Sequence, residues 1–278
     1  MSPSLGPMAA LTAAAALGVA DFIGGLAGRR ISVPTVMVGL QLSGFIMLPL
    51  AVLLLPIGWD ASAALLAFAG GALGGIGIIA FYRAMSVNLI GVVAPITGVV
   101  GAGLPTIIGL IGGDRLSAWQ LGGVSMGLVA IVLIGGFGRE FGPRPLAGMT
   151  LAVCAGLAFG GFFVLFHAAS SAGVTAFVSG RVAAIIVGLV ATLMSGARPI
   201  PDRSAWRLIG FGGVLDGGGA VMYLYASRGG LLSITALLVS FYPAFTVLCA
   251  RIFTGERLNA VQAVGATMAI LAIVIITA

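Results

Sequence analysis

The sequence predicts an all-α integral membrane protein, with ten transmembrane helices arranged as two inverted five-helix repeats. Three observations lead there. The 278 residues are 60% hydrophobic and only 7% charged, with a mean hydropathy of +1.22, whereas a soluble domain carries about a quarter charged residues. The apolar runs are about 20 residues long, the length of a spanning helix and not of an alternating barrel strand. One polar hairpin is also written twice, as Gly113-Asp114-Arg115-Leu116 and, 142 residues later, as Gly255-Glu256-Arg257-Leu258.

Taken in order, spans near 7–28, 33–55, 62–82, 88–111 and 117–137 form a first unit over residues 1–137. Spans near 147–168, 174–196, 205–226, 230–252 and 258–277 form a second over 147–278. The first run has no basic segment ahead of it and is long enough to span, so it reads as a retained helix. The stretch 138–146, with Arg139, Glu140, Pro143, Arg144 and Pro145, reads as the linker between halves. Each hairpin runs into a helix-start signal, Ser117 with Gln120 and Asn259 with Gln262. Such pairs satisfy the free N–H groups of a first turn reciprocally, and the acidic residue ahead suits the positive end of the helix dipole. The hairpin therefore reads as a tight turn at a membrane surface. Pro95 and Pro105 in span four and Pro243 in span nine interrupt the backbone ladder, so kinks are expected there.

The 142-residue offset extends without gaps beyond the hairpins. Gly18 matches Gly160; Gly70, Gly71, Gly75 and Gly77 match Gly212, Gly213, Gly217 and Gly219; Ala130-Ile131-Val132 repeats as Ala272-Ile273-Val274. Agreement at glycines and polar positions marks a true internal repeat. Five spans per unit is an odd number, so the copies must cross in opposite senses, as in many secondary transporters. The arginines fit that plan. One face collects Arg29, Arg30, Arg83, Arg139, Arg144, Arg198, Arg203, Arg207, Arg251 and Arg257, and the other only Arg115 and Arg228. The positive-inside rule makes the Arg-rich face cytoplasmic and turns both termini outward.

The chain resembles the drug/metabolite transporter superfamily, in its ten-helix EamA-type branch. The resemblance rests on the duplicated unit, on the two hairpins, and on Phe81-Tyr82-Arg83-Ala84 closing span three. The aromatic-Gly opening is kept as Phe159-Gly160 but is Leu17-Gly18 in the first copy. The resemblance implies a transporter of amino acids, drugs or other small metabolites. It also implies cytoplasmic termini, whereas the arginine distribution predicts the reverse.

The candidate site residues are those that a bilayer tolerates poorly. Asp21 in span one and Asp216 in span eight each cost about 2.5–3.5 kcal/mol at mid-bilayer, and such residues usually face a bundle interior or wet cavity. Each lies on a glycine-rich helical face, Asp21 with Gly18, Gly25 and Gly28, and Asp216 with Gly212, Gly213, Gly219 and Tyr223. Close packing through small residues would give the same pattern. Arg181 in span seven either snorkels to the surface, neutralises a buried Asp or meets a substrate carboxylate. None of the three survives in the other copy: Asp21 pairs with Phe163, Asp216 with Gly74 and Arg181 with Gly39. Phe159, Phe162, Phe163 and Phe166 form a stripe on span six, and Tyr82, Tyr223 and Tyr242 add rings with polar ends. The expected substrate-binding set is Asp216, Asp21, Phe159, Phe163, Tyr82, Tyr223 and Arg181. Asp216→Asn is expected to abolish gradient-driven transport while leaving stability nearly intact.

An acidic, Gly-lined wall opposite an aromatic one suits an ammonium group on an apolar body. The expectation is a secondary transporter of small amphipathic metabolites, amino acids or related amines, that exports or exchanges them by alternating access. A multidrug or organic-cation efflux carrier, a passive channel and a membrane-embedded enzyme remain alternatives. The enzyme has the least support, since no metal pair, Ser-His constellation or nucleotide loop is present in the sequence. The expected partners are a small-molecule substrate and the lipid bilayer, with proton coupling an option, in a monomer or weak dimer of a bacterial cytoplasmic membrane. No nucleic acid, cofactor or metal is expected.

Overall fold

A computed structural model describes residues 5–87, 90–134, 145–196, 203–254 and 260–277. Apart from one isolated bridge between Ile57 and Gly173, these residues form helices and connecting turns. In chain order they are α1 (Leu5–Ala27), α2 (Val33–Gly44), a 3-10 turn (Phe45–Met47), α3 (Leu48–Leu54), α4 (Ala61–Val87), α5 (Ile90–Ile111) and α6 (Ala118–Ile134). There follow α7 (Pro145–Ala168), α8 (Val174–Ser195), α9 (Arg203–Ser227), α10 (Leu232–Val239), α11 (Tyr242–Thr254) and α12 (Ala260–Thr277). Seven segments are long and apolar enough to cross a membrane, with α2–α3 and α10–α11 each counting as one. Shorter apolar helices cover 96–111, 118–133 and 260–276. Large side chains such as Leu53, Ile111 and Leu193 point outward, as they do where the surrounding solvent is hydrocarbon.

Glycines set the packing. Gly212 lies against Ile23, and Gly219 against Leu17 and Ala13, so α9 runs antiparallel to α1. Gly70 lies against Leu165 and Phe166, and Gly77 against Ala158 and Phe159, so α4 runs antiparallel to α7. Gly213 and Gly217 meet Leu40 and Gly44, setting α9 parallel to α2; Gly71 and Gly75 meet Gly180 and Ala184, setting α4 parallel to α8. Likewise α7 runs parallel to α5 through Gly156 on Val100 and Gly160 on Leu104. α1 runs parallel to α11 through Gly18 on Phe245 and Phe22 on Phe253. The 142-residue offset carries each of these neighbour pairs onto the other, and it carries α6 with α12, packed at Gly123 on Ala272 and Ile276, onto itself.

Two apolar segments are broken, and a proline explains each break. Pro49 has no N–H and crowds the carbonyl four residues back, at Phe45, where the helix tightens into the 3-10 turn. Pro243 does the same to Val239, the last residue of α10. By contrast α5 stays helical through Pro95 and Pro105.

The first hairpin has the expected capping box. The Ser117 amide donates to Gln120 Oε1 at 3.0 Å, and the Gln120 amide donates to Ser117 Oγ at 3.2 Å. Gly113 takes a φ of 105°, which a residue with a Cβ adopts at a cost. Asp114, however, serves another helix. Its Oδ2 accepts from the Ser233 amide at 2.9 Å and the Ser233 hydroxyl at 2.7 Å, capping α10. The second hairpin, at 255–258, and the linker residues 138–144 lie outside the described residues. At the start of α4, Asp60 Oδ1 accepts from the Ser62 hydroxyl and from the amides of Ser62 and Ala63. Those bonds, the Ser62 hydroxyl first, hold this surface carboxyl below its ordinary pKa.

The two ends of the bundle differ. At one end the turn after α3 docks on the start of α8: the Val174 amide donates to Pro56 O at 3.0 Å, and the Thr175 hydroxyl donates to Gly58 O. Asp114 and Ser233 close the same end. At the other end, Ser32, Val33 and Pro34 face Ile79, Arg83, Ser86, Ala191, Met194 and Ser195 across a groove of about 640 Å³. The groove end is the one that bears Arg29, Arg30 and Arg83.

Candidate functional site

Asp216 is placed by α9, whose glycines let it lie directly against α2, and it faces Arg181 of α8. Arg181 Nη2 donates to Asp216 Oδ2 at 2.8 Å. Arg181 Nη1 donates to Gln41 Oε1 at 2.9 Å and to the Gln41 carbonyl at 3.1 Å. The Phe177 ring covers the guanidinium at 5.0 Å, and Gly44 backs it, because a Cβ there would collide with it. Arg181 is thus buried and does not snorkel. Of the sequence alternatives, the structure shows it neutralising a buried Asp.

The same pair cannot form at the repeat-related position. There Gly39 lies against Ile209 and Trp206, and Gly74 receives the Phe162 ring. One side of the bundle is therefore polar and the other aromatic. On the aromatic side Phe162 is tilted against Phe166, with ring centroids 4.3 Å apart, and against Phe163 at 5.4 Å. Phe163 meets Tyr223 at 5.0 Å, and the Tyr223 hydroxyl donates to the Phe163 carbonyl at 2.6 Å.

Between these sides lies a cavity of about 80 Å³, large enough for a few waters or a small polar group. Six of the seven expected residues line it: Asp21, Asp216, Arg181, Phe159, Phe163 and Tyr223. Tyr82 stands behind Asp21, to whose Oδ1 it donates at 3.4 Å, and does not line the wall. Tyr223 contributes its ring only, since its hydroxyl is engaged with backbone. Gln41, Phe177 and the glycine floor of Gly71, Gly74, Gly75 and Gly180 were not in the expected set. Gln41 had a signal: it is the lone Gln within span two, and a buried amide needs a partner.

A helical bundle with an apolar exterior and charged side chains lining an internal cavity has the build of a multi-pass membrane protein. Residues 146–278 match the model of the EamA-like transporter family, the family that the sequence resemblance implied. That match, with seven segments long and apolar enough to cross a membrane, supports a multi-pass membrane transporter. A solved crystal structure of another protein shares the fold at a TM-score of 0.74 and 16% identity, covering 97% of this chain and 98% of that one. No curated protein matches the chain.

The aromatic wall gives a direct prediction. Phe163→Ala empties a buried site between Phe162 and Tyr223 and should cost about 3 kcal/mol of stability, leaving a protein that still folds in detergent. The half-saturation concentration for a substrate with an apolar body should rise several-fold. Transport kinetics that stay at the wild-type values for every substrate would make the stripe packing alone.

Proposed function

We propose that the protein is a secondary transporter that exports or exchanges small amphipathic metabolites, amino acids or related amines, across a bacterial cytoplasmic membrane. The observation that supports this best is the cavity itself, which sets carboxylates opposite phenyl rings where the two units meet. Ten crossings as two inverted units would supply alternating access. The helix senses support that plan, because each close-packed pair has the relative direction that ten alternating crossings require. The test is counterflow in proteoliposomes with a panel of amino acids and amines. Saturable exchange into preloaded vesicles supports a carrier, whereas unsaturable flux supports a channel, and no flux with any compound rejects both.

Orientation is a separate expectation of this reading. The ten-to-two arginine split supports a cytoplasmic groove end. A periplasm-dependent reporter fused after Ala278 should then be active and a cytoplasm-dependent one silent. The opposite pattern would reverse the assignment.

A further inference from the structure

We propose, resting on the transporter reading above, that Asp21, held from behind by Tyr82, forms an ammonium subsite with the Tyr242 hydroxyl, and that the cavity selects singly charged amines over amino acids. Three charged side chains line the cavity: Asp21, Asp216 and Arg181. Arg181 and Asp216 neutralise each other at 2.8 Å. Formally this leaves one negative charge, on Asp21, in the same cavity. A substrate bearing one ammonium and no carboxylate balances it, while a zwitterion does not.

The guanidinium is not free to receive a substrate carboxylate. Both terminal nitrogens are committed to Gln41 and Asp216, and Nε is enclosed without a partner. Phe177 lies over the guanidinium and Gly44 behind it. A carboxylate would have to displace Asp216 from a buried ion pair.

The Asp21 pole is built differently. Among the described residues its carboxylate accepts one long bond, from Tyr82 at 3.4 Å, although a carboxylate offers about four lone-pair positions. Tyr242 lines the cavity, is 2% exposed, and its hydroxyl has no hydrogen-bond partner among the described residues. A buried hydroxyl without a partner is costly, and an ammonium N–H donated to its oxygen removes that cost. Phe159 and Tyr242 stand perpendicular at 6.3 Å between centroids, and Phe81 meets each of them edge-on. Such rings attract a cation and accommodate an apolar body. The carboxylate therefore supplies charge, the Tyr242 hydroxyl direction and the rings the fit.

The experiment compares matched probes: phenethylamine with phenylalanine, tyramine with tyrosine, and isoamylamine with leucine. Counterflow in proteoliposomes is read alongside thermal stabilisation of the detergent-solubilised full chain by each compound. The amine of each pair should be carried and should stabilise the protein at concentrations at least tenfold below its amino acid. Asp21→Asn should abolish stabilisation by amines. Tyr242→Phe keeps the ring, removes only the unpartnered hydroxyl, and should weaken amine binding several-fold. If Asp21→Asn does not fold, Tyr242→Phe decides alone. Amino acids equal to or better than their amines overturn the selectivity, and amine binding unchanged in Tyr242→Phe overturns the subsite; both leave the transporter reading standing. Amine binding that follows these variants without any saturable flux supports the subsite and rejects the transporter reading.

Discussion

Asp216→Asn should lower the stability of the solubilised protein by about 3 kcal/mol, because removing one partner of a buried ion pair strands the other. The sequence alone suggested a nearly silent change in stability, since Asn keeps the shape and hydrogen bonding of Asp. The structure alters that expectation. The Arg181 side chain is 4% exposed and that of Asp216 18%, with the carboxylate at 2.8 Å from the guanidinium. Asn can accept one bond from Nη2 but leaves a full positive charge in a low-dielectric site. Arg181→Ala should cost at least as much, because it frees Gln41 and Asp216 together. Replacing both, as Arg181→Met with Asp216→Leu, should recover most of the loss, since an apolar pair avoids desolvating two ions. Thermal unfolding of the two singles and the double measures the coupling directly. Additive losses would mean that the pair contributes nothing as a pair. Gradient-driven transport should be lost in Asp216→Asn, and the apolar double should remain inactive even where it is stable.

A second large effect is expected at Gly213. A Cβ there would meet the Leu40 carbonyl oxygen and the Ser43 side chain, and neither backbone can yield without separating α9 from α2. Gly213→Ala should cost about 2–3 kcal/mol by overpacking and shift the Arg181–Asp216 contact one turn away. Gly210, three residues earlier on the same helix, has open space around it, so Gly210→Ala should be neutral or slightly stabilising through helix propensity. Gly71→Ala, at the repeat-related position, should behave like Gly213→Ala, because its Cβ would strike the Gly180 backbone. Equal melting temperatures for Gly210→Ala and Gly213→Ala would show that the close approach is not rigid.

The pattern of what was legible in the sequence follows from the physics of a bilayer. Asp21, Asp216 and Arg181 stood out because a charge in hydrocarbon needs a reason, and Phe159 and Phe163 because helical spacing puts them on one face. These residues indeed line one cavity. The state of Arg181 was left open because its partners come from α2 and α9, in both halves of the chain, and no local pattern fixes such a meeting. Gly44 looked like one glycine among 45, yet it makes the slot for the guanidinium. The break after α2 has a local sign in Pro49; of the three prolines expected to kink a helix, Pro243 marks the break after α10, whereas α5 continues through Pro95 and Pro105. Asp114 looked like a dipole partner for its own helix; its geometry instead favours Ser233, because that amide stands at the start of α10, where a carboxylate can accept from N–H and hydroxyl together.

The dissimilar ends of the bundle bear on apparent affinity. Under the 142-residue offset Ser32 is the counterpart of Val174, so the open groove at one end and the docked turn at the other involve equivalent parts of the two units. If the protein works by the alternating access proposed above, two forms differing in which end is docked would stand in an equilibrium weighted by contacts that never touch the cavity. Losing one hydrogen bond of about 1 kcal/mol, such as that from Thr175 to Gly58, changes the ratio of the two forms about fivefold. A ligand that recognises only one form binds more weakly in proportion to the fraction absent. Thr175→Val, far from Asp21, would thus change the concentration at which a substrate half-saturates each side of the membrane, in opposite directions.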